Sequence, residues 1–178
     1  MQNFQEFLEN SLQQNIKKLI PLTGGASADI NRIILENNNE LIVRRSLSKE
    51  QSVMAIPKKL EAKIQRIVKS NDAPVPKIIF EFSEDEDIGE GYVMEAIPGE
   101  TIPRKILRDD NYENVRSKLS FEIGRSLATI HQTKLDELND LDKVTFEESL
   151  KKLYLVYSSF KQPQPVFELA FKWLEAQE

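Results

Sequence analysis

Several residue types are missing or rare in this chain of 178 residues, and each absence narrows the class of protein. There is no cysteine, which excludes disulfide bonds and thiolate metal sites. The single histidine, His131, argues against a histidine-based metal site or a serine–histidine nucleophile pair. Acidic residues outnumber basic ones and the net charge is −5, so a surface that tracks a nucleic-acid backbone is not expected.

Long apolar runs are also absent. No uncharged apolar segment approaches the roughly 20 residues that are needed to cross a bilayer. The first residues are amphipathic and acidic, whereas a signal peptide is basic and then continuously apolar. With 40% hydrophobic residues the chain can form a folded core, and we expect a soluble cytoplasmic protein without a nucleic-acid or membrane partner.

The first half of the chain has the pattern of a small sheet with helices. Apolar residues at helical spacing predict a helix over residues 3–14. Five β-rich segments predict strands, at residues 16–22, 30–35, 41–45, 77–82 and 91–95. Pro57 begins a predicted helix between the third and fourth strands, and Pro74 and Pro76 end it.

Only helices are predicted from residue 101 onward, at 112–132, 146–160 and 165–176. Thr145, followed three residues later by Glu148, forms the pattern of a capping box at the start of the second of these. The last helix is apolar on most sides, which is typical of a buried helix. The chain contains too little further sequence to bury it.

A glycine turn lies between the first two predicted strands, at Gly24 and Gly25, and is followed by Ala26 and Ser27. The N–H groups of such a turn can bind anionic oxygens, because glycine permits positive φ and the close approach of a ligand. No Gly-Lys-Ser/Thr follows, which excludes a Walker loop, and a strand rather than a helix follows, which excludes the dinucleotide fingerprint. A plain connection between two strands is the alternative interpretation.

Arg44 lies in an apolar strand and Glu61 near the start of the next predicted helix. Because side chains alternate along a strand, the Arg44 guanidinium could face a cleft beneath the sheet, where Glu61 could hold it against phosphates. The alternatives are an edge-strand arginine that discourages aggregation and a helix-start glutamate that pairs with Gln65 or Lys58 at the surface. Arg45 is expected to be the solvated arginine of the two.

Glu95 and Ile97 lie where the predicted sheet ends and the helices begin. A strand end with exposed backbone N–H and C=O groups suits an adenine edge, which needs one donor and one acceptor. A simple linker that ends in a Pro-Gly turn is the alternative.

The order of these features resembles the small lobe of a protein-kinase-like fold. Five segments resemble the aminoglycoside phosphotransferase family, at residues 22–27 (LTGGAS), 41–45 (LIVRR), 74–76 (PVP), 91–99 (GYVMEAIPG) and 127–131 (LATIH). The likeness covers nearly the whole chain and is closest to the branch associated with acyl-CoA dehydrogenases. It implies an α+β fold in which residues 1–95 form a five-stranded antiparallel small lobe with one packed helix. Residues 96–100 would be the hinge and residues 101–178 the first helices of an α-helical large lobe.

The resemblance also implies roles at a nucleotide site. The residues that would cover the triphosphate of ATP are Gly24, Gly25, Ala26 and Ser27. Arg44 would stand where kinases usually have a strand lysine, and Glu61 would be its partner. Glu95 and Ile97 would offer main-chain groups to adenine. An arginine in place of the lysine is a departure from the family pattern, because a planar guanidinium does not replace an ammonium without adjustment.

A second departure concerns catalysis. Enzymes of this kind have a His-x-Asp catalytic loop and later Asn and Asp ligands for Mg²⁺. Here His131 is followed by Gln132 and Thr133, and the last aspartate is Asp142. We therefore expect no catalytic residue and no metal ligand in this chain. We expect it to be the amino-terminal, nucleotide-binding portion of an enzyme that moves the γ-phosphoryl group of ATP to a small-molecule hydroxyl, with Mg²⁺ bound beyond it. The alternative is a complete, non-catalytic nucleotide-binding or regulatory module of the same fold.

Overall fold

The computed structural model describes residues 3–22, 28–47, 56–83, 87–134, 136, 138–139, 141 and 143–177. The chain divides into two compact units, Met1–Leu138 and Asn139–Glu178. The first unit holds a β-sheet and helices, and the second holds two helices.

A five-stranded antiparallel sheet forms the centre of the first unit. Its strands are β1 (Ile16–Pro21), β2 (Asp29–Leu35), β3 (Glu40–Ser46), β4 (Ile78–Ser83) and β5 (Glu90–Glu95). The spatial order is β1-β2-β3-β5-β4, so β3 is an internal strand between β2 and β5. The turn between β2 and β3 is polar, and Asn38 adopts the left-handed conformation there with φ of 62°.

Helix α1 (Phe4–Leu12) covers one face of this sheet. Leu8 of this helix is fully buried, in one apolar cluster with Val43 of β3 and Val93 of β5. The predicted helix over residues 3–14 is therefore confirmed, and its apolar stripe packs on the sheet.

Helix α2 (Lys58–Ser70) covers the opposite face, beside β4 and β5. Ala62 of this helix is fully buried, in a second cluster with Ile78 and Tyr92. Because successive side chains of a strand point to opposite faces, β3 turns Val43 toward α1 and Arg44 toward α2. The sheet therefore places a charged side chain on the side of α2, as the alternation along β3 predicted.

Residues 96–102, after β5, form no regular element. They are followed by α3 (Pro103–Arg108), a short 3-10 helix (Asp110–Tyr112) and α4 (Glu113–His131). The sequence pattern missed α3, because six residues are too few to show helical periodicity. The assignment of residues 96–100 as a hinge stays a prediction.

The second unit consists of α5 (Phe146–Ser159) and α6 (Pro165–Glu175). The predicted capping box is confirmed: Glu148 N donates to the Thr145 hydroxyl at 3.2 Å, and Thr145 N donates to the Glu148 carboxylate at 2.9 Å. The two helices share an aromatic cluster, whose members are Tyr154, Tyr157, Phe167 and Phe171. Much of the remaining apolar surface of α6 is exposed, including Trp173 at 61%.

The fold class predicted from the sequence is confirmed. A mixed structure with a five-stranded antiparallel sheet and several helices is consistent with a kinase-like small lobe followed by helices. None of the helices in the described ranges is both long enough and apolar enough to span a bilayer.

Candidate functional site

Arg44 of β3 and Glu61 of α2 meet on the α2 face of the sheet. Arg44 Nε donates a hydrogen bond of 3.0 Å to Glu61 Oε2, although 17 positions separate the two residues. Both side chains are largely shielded from water, with exposed fractions of 24% and 21%. The predicted pairing is confirmed. The interpretation of Arg44 as an edge-strand residue is wrong, because β3 has a neighbour on each side.

Lys58, one helical turn before Glu61, brings a second cation to the same carboxylate. Its Nζ donates to Glu61 Oε1 at 2.6 Å, and its side chain is only 5% exposed. The sequence suggested this pair only as a surface interaction; it lies in the interior because α2 packs on the sheet at this point. The i, i+3 spacing of Lys58 and Glu61 was the available signal, but it does not reveal burial.

Glu90, at the start of β5, holds the beginning of α2. Its carboxylate accepts a hydrogen bond from the backbone N–H of Lys58. The first N–H groups of a helix lack partners within the helix, and Pro57 at the N-cap has no side-chain acceptor to offer. Glu90 therefore acts as a cap from another element and fixes the helix that carries Lys58 and Glu61.

Tyr92 of β5 completes the surroundings of the carboxylate. It lies opposite Arg44 in the β3–β5 register, and its hydroxyl donates to Glu61 Oε2 at 3.2 Å. Burial, together with the charge of Glu61, raises the pKa of Tyr92 to about 12, so the hydroxyl keeps its proton at neutral pH. The alternation along β5 could have placed Tyr92 on this face, but no pattern in the sequence distinguishes Tyr92 from its neighbours on the strand.

Two cations, Arg44 and Lys58, and two carboxylates, Glu61 and Glu90, lie together on this face of the sheet. Burial favours the neutral form of Glu61, but the hydrogen bonds from Arg44 and Lys58 outweigh burial and hold its pKa below the ordinary value. The hydrogen bond to Glu61 in turn raises the pKa of Arg44. Glu90 lies on the same face, so the two cations are matched by two carboxylates. What this group offers an anion is the N–H donors of the Arg44 guanidinium.

Four of the predicted site residues lie outside the described residues: Gly24, Gly25, Ala26 and Ser27. The described residues on either side of them show where the connection between β1 and β2 begins and ends. Leu22 N donates to Ile30 O at 2.9 Å, which closes the two strands. Ile30 lies opposite Arg44 in the β2–β3 register. The end of the β1–β2 ladder therefore lies one strand away from Arg44.

Glu95 and Ile97, the two predicted adenine-binding residues, lie at and after the end of β5. Glu95 is opposite Leu41, three residues along β3 from Arg44, which is a separation of about 10 Å. Its carboxylate accepts from Lys77 N at 2.9 Å, and its own N–H donates to Lys77 O at 3.0 Å. Ile97 is 62% exposed, and its backbone N–H makes no hydrogen bond within the described part of the chain.

Arg45 is not the solvated residue that the sequence predicted. Its side chain is only 13% exposed, its Nε donates to Asp29 Oδ2 at 2.7 Å, and its Cζ lies 3.5 Å from the centre of the Phe4 ring. The prediction was wrong because α1 covers this face of β3, and the pattern of a single strand does not show what packs on it. Arg45 ties α1 and the first residue of β2 to β3.

Comparison with known proteins gives a family for this chain. A family model described as the phosphotransferase enzyme family matches residues 18–177, which include most of β1 and every later element. No curated protein matches the chain. Because the match covers well over half of the residues, the chain belongs to the phosphotransferase enzyme family.

Proposed function

We propose that this member of the phosphotransferase family is the nucleotide-binding part of an enzyme that transfers the γ-phosphoryl group of ATP to a hydroxyl of a small molecule in the cytoplasm. The supporting observation is Arg44, a permanent cation held by Glu61 beside the end of the β1–β2 ladder. The acyl-CoA-dehydrogenase-associated branch is part of the same proposal and is supported by the sequence segments that resemble it.

The phosphate groups fit the end of the site that contains Arg44. The guanidinium of Arg44 would neutralise part of the negative charge of the phosphates. Ile30, which follows residues 24–27, lies opposite Arg44 on the next strand, and the backbone N–H groups of residues 24–27 would add donors to the same anion. Guanidinium groups suit phosphate oxygens because their N–H donors form a planar fork.

The adenine base would lie at the other end of the same face. Glu95 is about 10 Å from Arg44 along the strands, so one extended nucleotide could reach both. The exposed Ile97 would donate its backbone N–H to the base. Ile30 and Ile42, which are half-buried and share the α2 face with Arg44, would provide apolar surface for the adenine ring.

The work of these residues in catalysis would be positioning and charge neutralisation. ATP supplies the transferred phosphoryl group when bound, and Arg44 would hold its phosphates while Glu61 keeps Arg44 in place. In the described ranges no group of three or more histidine, aspartate or glutamate side chains could hold a metal ion, so we assign the metal no ligand from these residues. The 178 residues contain no His-x-Asp motif, so we propose that they bind the nucleotide but do not transfer phosphate by themselves.

Calorimetry with ATP tests this function. Purified chain should bind ATP, and Arg44→Ala should weaken the binding by at least about tenfold, since it removes the cation that meets the phosphates. Arg66→Ala is the matched control, because Arg66 pairs with Glu81 of the edge strand β4 at the same distance of 3.0 Å but in a more exposed pair. ATP binding that is absent, or equally strong in Arg44→Ala, would refute the proposed site. Release of ADP by residues 1–178 would refute the proposal that they transfer no phosphate.

A further inference from the structure

The carboxylate of Glu61 is shared among three donors from three different elements. Oε2 accepts from Arg44 Nε of β3 at 3.0 Å and from the Tyr92 hydroxyl of β5 at 3.2 Å. Oε1 accepts from Lys58 Nζ of α2 at 2.6 Å. The two oxygens are thus divided between the two cations, and each cation holds one of them.

Lys58 is placed where a bound ligand could not touch it. Its side chain is 5% exposed, and its backbone N–H is held by Glu90. A lysine at this depth is stabilised by a charge partner, and that partner is Glu61. Lys58 can therefore act on a ligand only through its charge or through the Glu61 carboxylate, and the position of that carboxylate distinguishes the two.

The division of the oxygens decides how Arg44 meets Glu61. A carboxylate without other partners commonly forms a bidentate pair with a guanidinium, in which its two oxygens accept from Nε and from one Nη group. Here the contact is through Nε alone, because Oε1 is turned toward Lys58. No carboxylate among the described residues receives a hydrogen bond from the Nη groups of Arg44. Arg44 also has a hydrogen bond with the Tyr92 side chain, which is uncharged, so its Nη groups have no carboxylate partner among these residues.

We propose that Lys58 is a positioning residue of the phosphate site. By binding one oxygen of Glu61, it prevents a bidentate pair between Glu61 and Arg44 and leaves the Nη groups of Arg44 for the phosphates of a nucleotide. This inference rests on the proposed function, because it assumes that the anion at this site is a polyphosphate. A lysine carries its three N–H donors on one nitrogen, whereas an arginine at this strand position can give Nε to Glu61 and its separate Nη groups to phosphate.

The test uses Lys58→Met, which keeps the length of the side chain and removes its charge. We expect a crystal structure of the variant to show Glu61 bound to Arg44 through both oxygens. We expect binding of both ATP and inorganic tripolyphosphate to weaken by about tenfold in calorimetry, and by the same factor, because only the phosphates are affected. Lys59→Met, the exposed neighbour on α2, is the control and should bind both ligands like the parent chain.

A Lys58→Met variant that keeps the Nε contact alone, or that binds tripolyphosphate as tightly as the parent, would overturn the inference. Parent chain that binds neither ATP nor tripolyphosphate would instead refute the proposed function, and the inference would fall with it. If Lys58→Met does not fold, as judged by circular dichroism, Lys58→Gln is measured with the same two readouts and decides in the same way.

Discussion

Replacing Glu61 with alanine would leave two cations without their shared partner. Removal of one member of a buried ion pair costs roughly 3–5 kcal/mol, because the remaining charge stays out of water. The side chain of Lys58 is 5% exposed and corresponds to this case, whereas Arg44 is 24% exposed and can be partly solvated. We therefore expect Glu61→Ala to lower the free energy of unfolding by about 2–4 kcal/mol, between the values for buried and exposed pairs.

Urea unfolding at neutral pH, followed by circular dichroism, measures this loss. Glu81→Ala is the matched control, because Glu81 also joins the sheet to α2 through an arginine at 3.0 Å but its pair is 43% and 31% exposed. Glu81→Ala should lower the free energy of unfolding by less than about 1 kcal/mol, because exposed ion pairs contribute little to stability. A second signature comes from the double variant Lys58→Met with Glu61→Ala. It should be more stable than Glu61→Ala alone, because the orphaned buried ammonium is gone.

The reasoning would be refuted by a Glu61→Ala variant that loses no more stability than Glu81→Ala. A double variant that is less stable than Glu61→Ala would contradict it as well, since the unpaired ammonium of Lys58 would then not lower the free energy of unfolding. Either result would mean that water reaches this group in solution.

Three further outcomes follow from the structure. The folded chain holds the pKa of Glu61 below its ordinary 4.5, so the stability that this residue provides is present above pH 4.5 and is lost as the pH falls through the folded pKa. On acidification below pH 4.5, the urea midpoint of the parent should therefore drop more than that of Glu61→Gln. Gly91→Ala should cost more than about 2 kcal/mol in the same assay, since an added Cβ would lie 2.6 Å from the backbone oxygen of Arg44. Thr145→Ala should cost about 1 kcal/mol in thermal unfolding of α5, and Thr145→Ser should restore most of it, because the hydroxyl is the acceptor of the capping box.

The parts of the site that the sequence predicted depend on local patterns. Alternation along β3 placed Arg44 on the opposite face from Val43, and the helix after β3 placed Glu61 near its first turn. A strand and a helix that follow each other and pack together bring these two positions to one face. The 3.0 Å contact confirms that combination of short-range patterns.

The parts that the sequence missed depend on docking. The burial of Lys58 depends on how closely α2 packs on β5. Glu90, at the start of β5, holds the two together by accepting a hydrogen bond from Lys58 N. Arg45 is covered because α1, far away in the sequence, packs across β3 and brings Phe4 over its guanidinium. No periodicity within either element carries this information, since it arises only when separate elements meet.

Nitrogen-15 NMR of the arginine side chains during a titration with ATP tests the phosphate site most directly, because it reports on the guanidinium itself. The Nε–Hε signal of Arg44 should shift with saturation as ATP is added, and tripolyphosphate should shift it in the same direction. The signal of Arg66, whose exposed pair with Glu81 joins α2 to the edge strand β4, should not shift. An Arg44 signal that does not move while ATP binds elsewhere would contradict the assignment of Arg44 as the phosphate-binding residue.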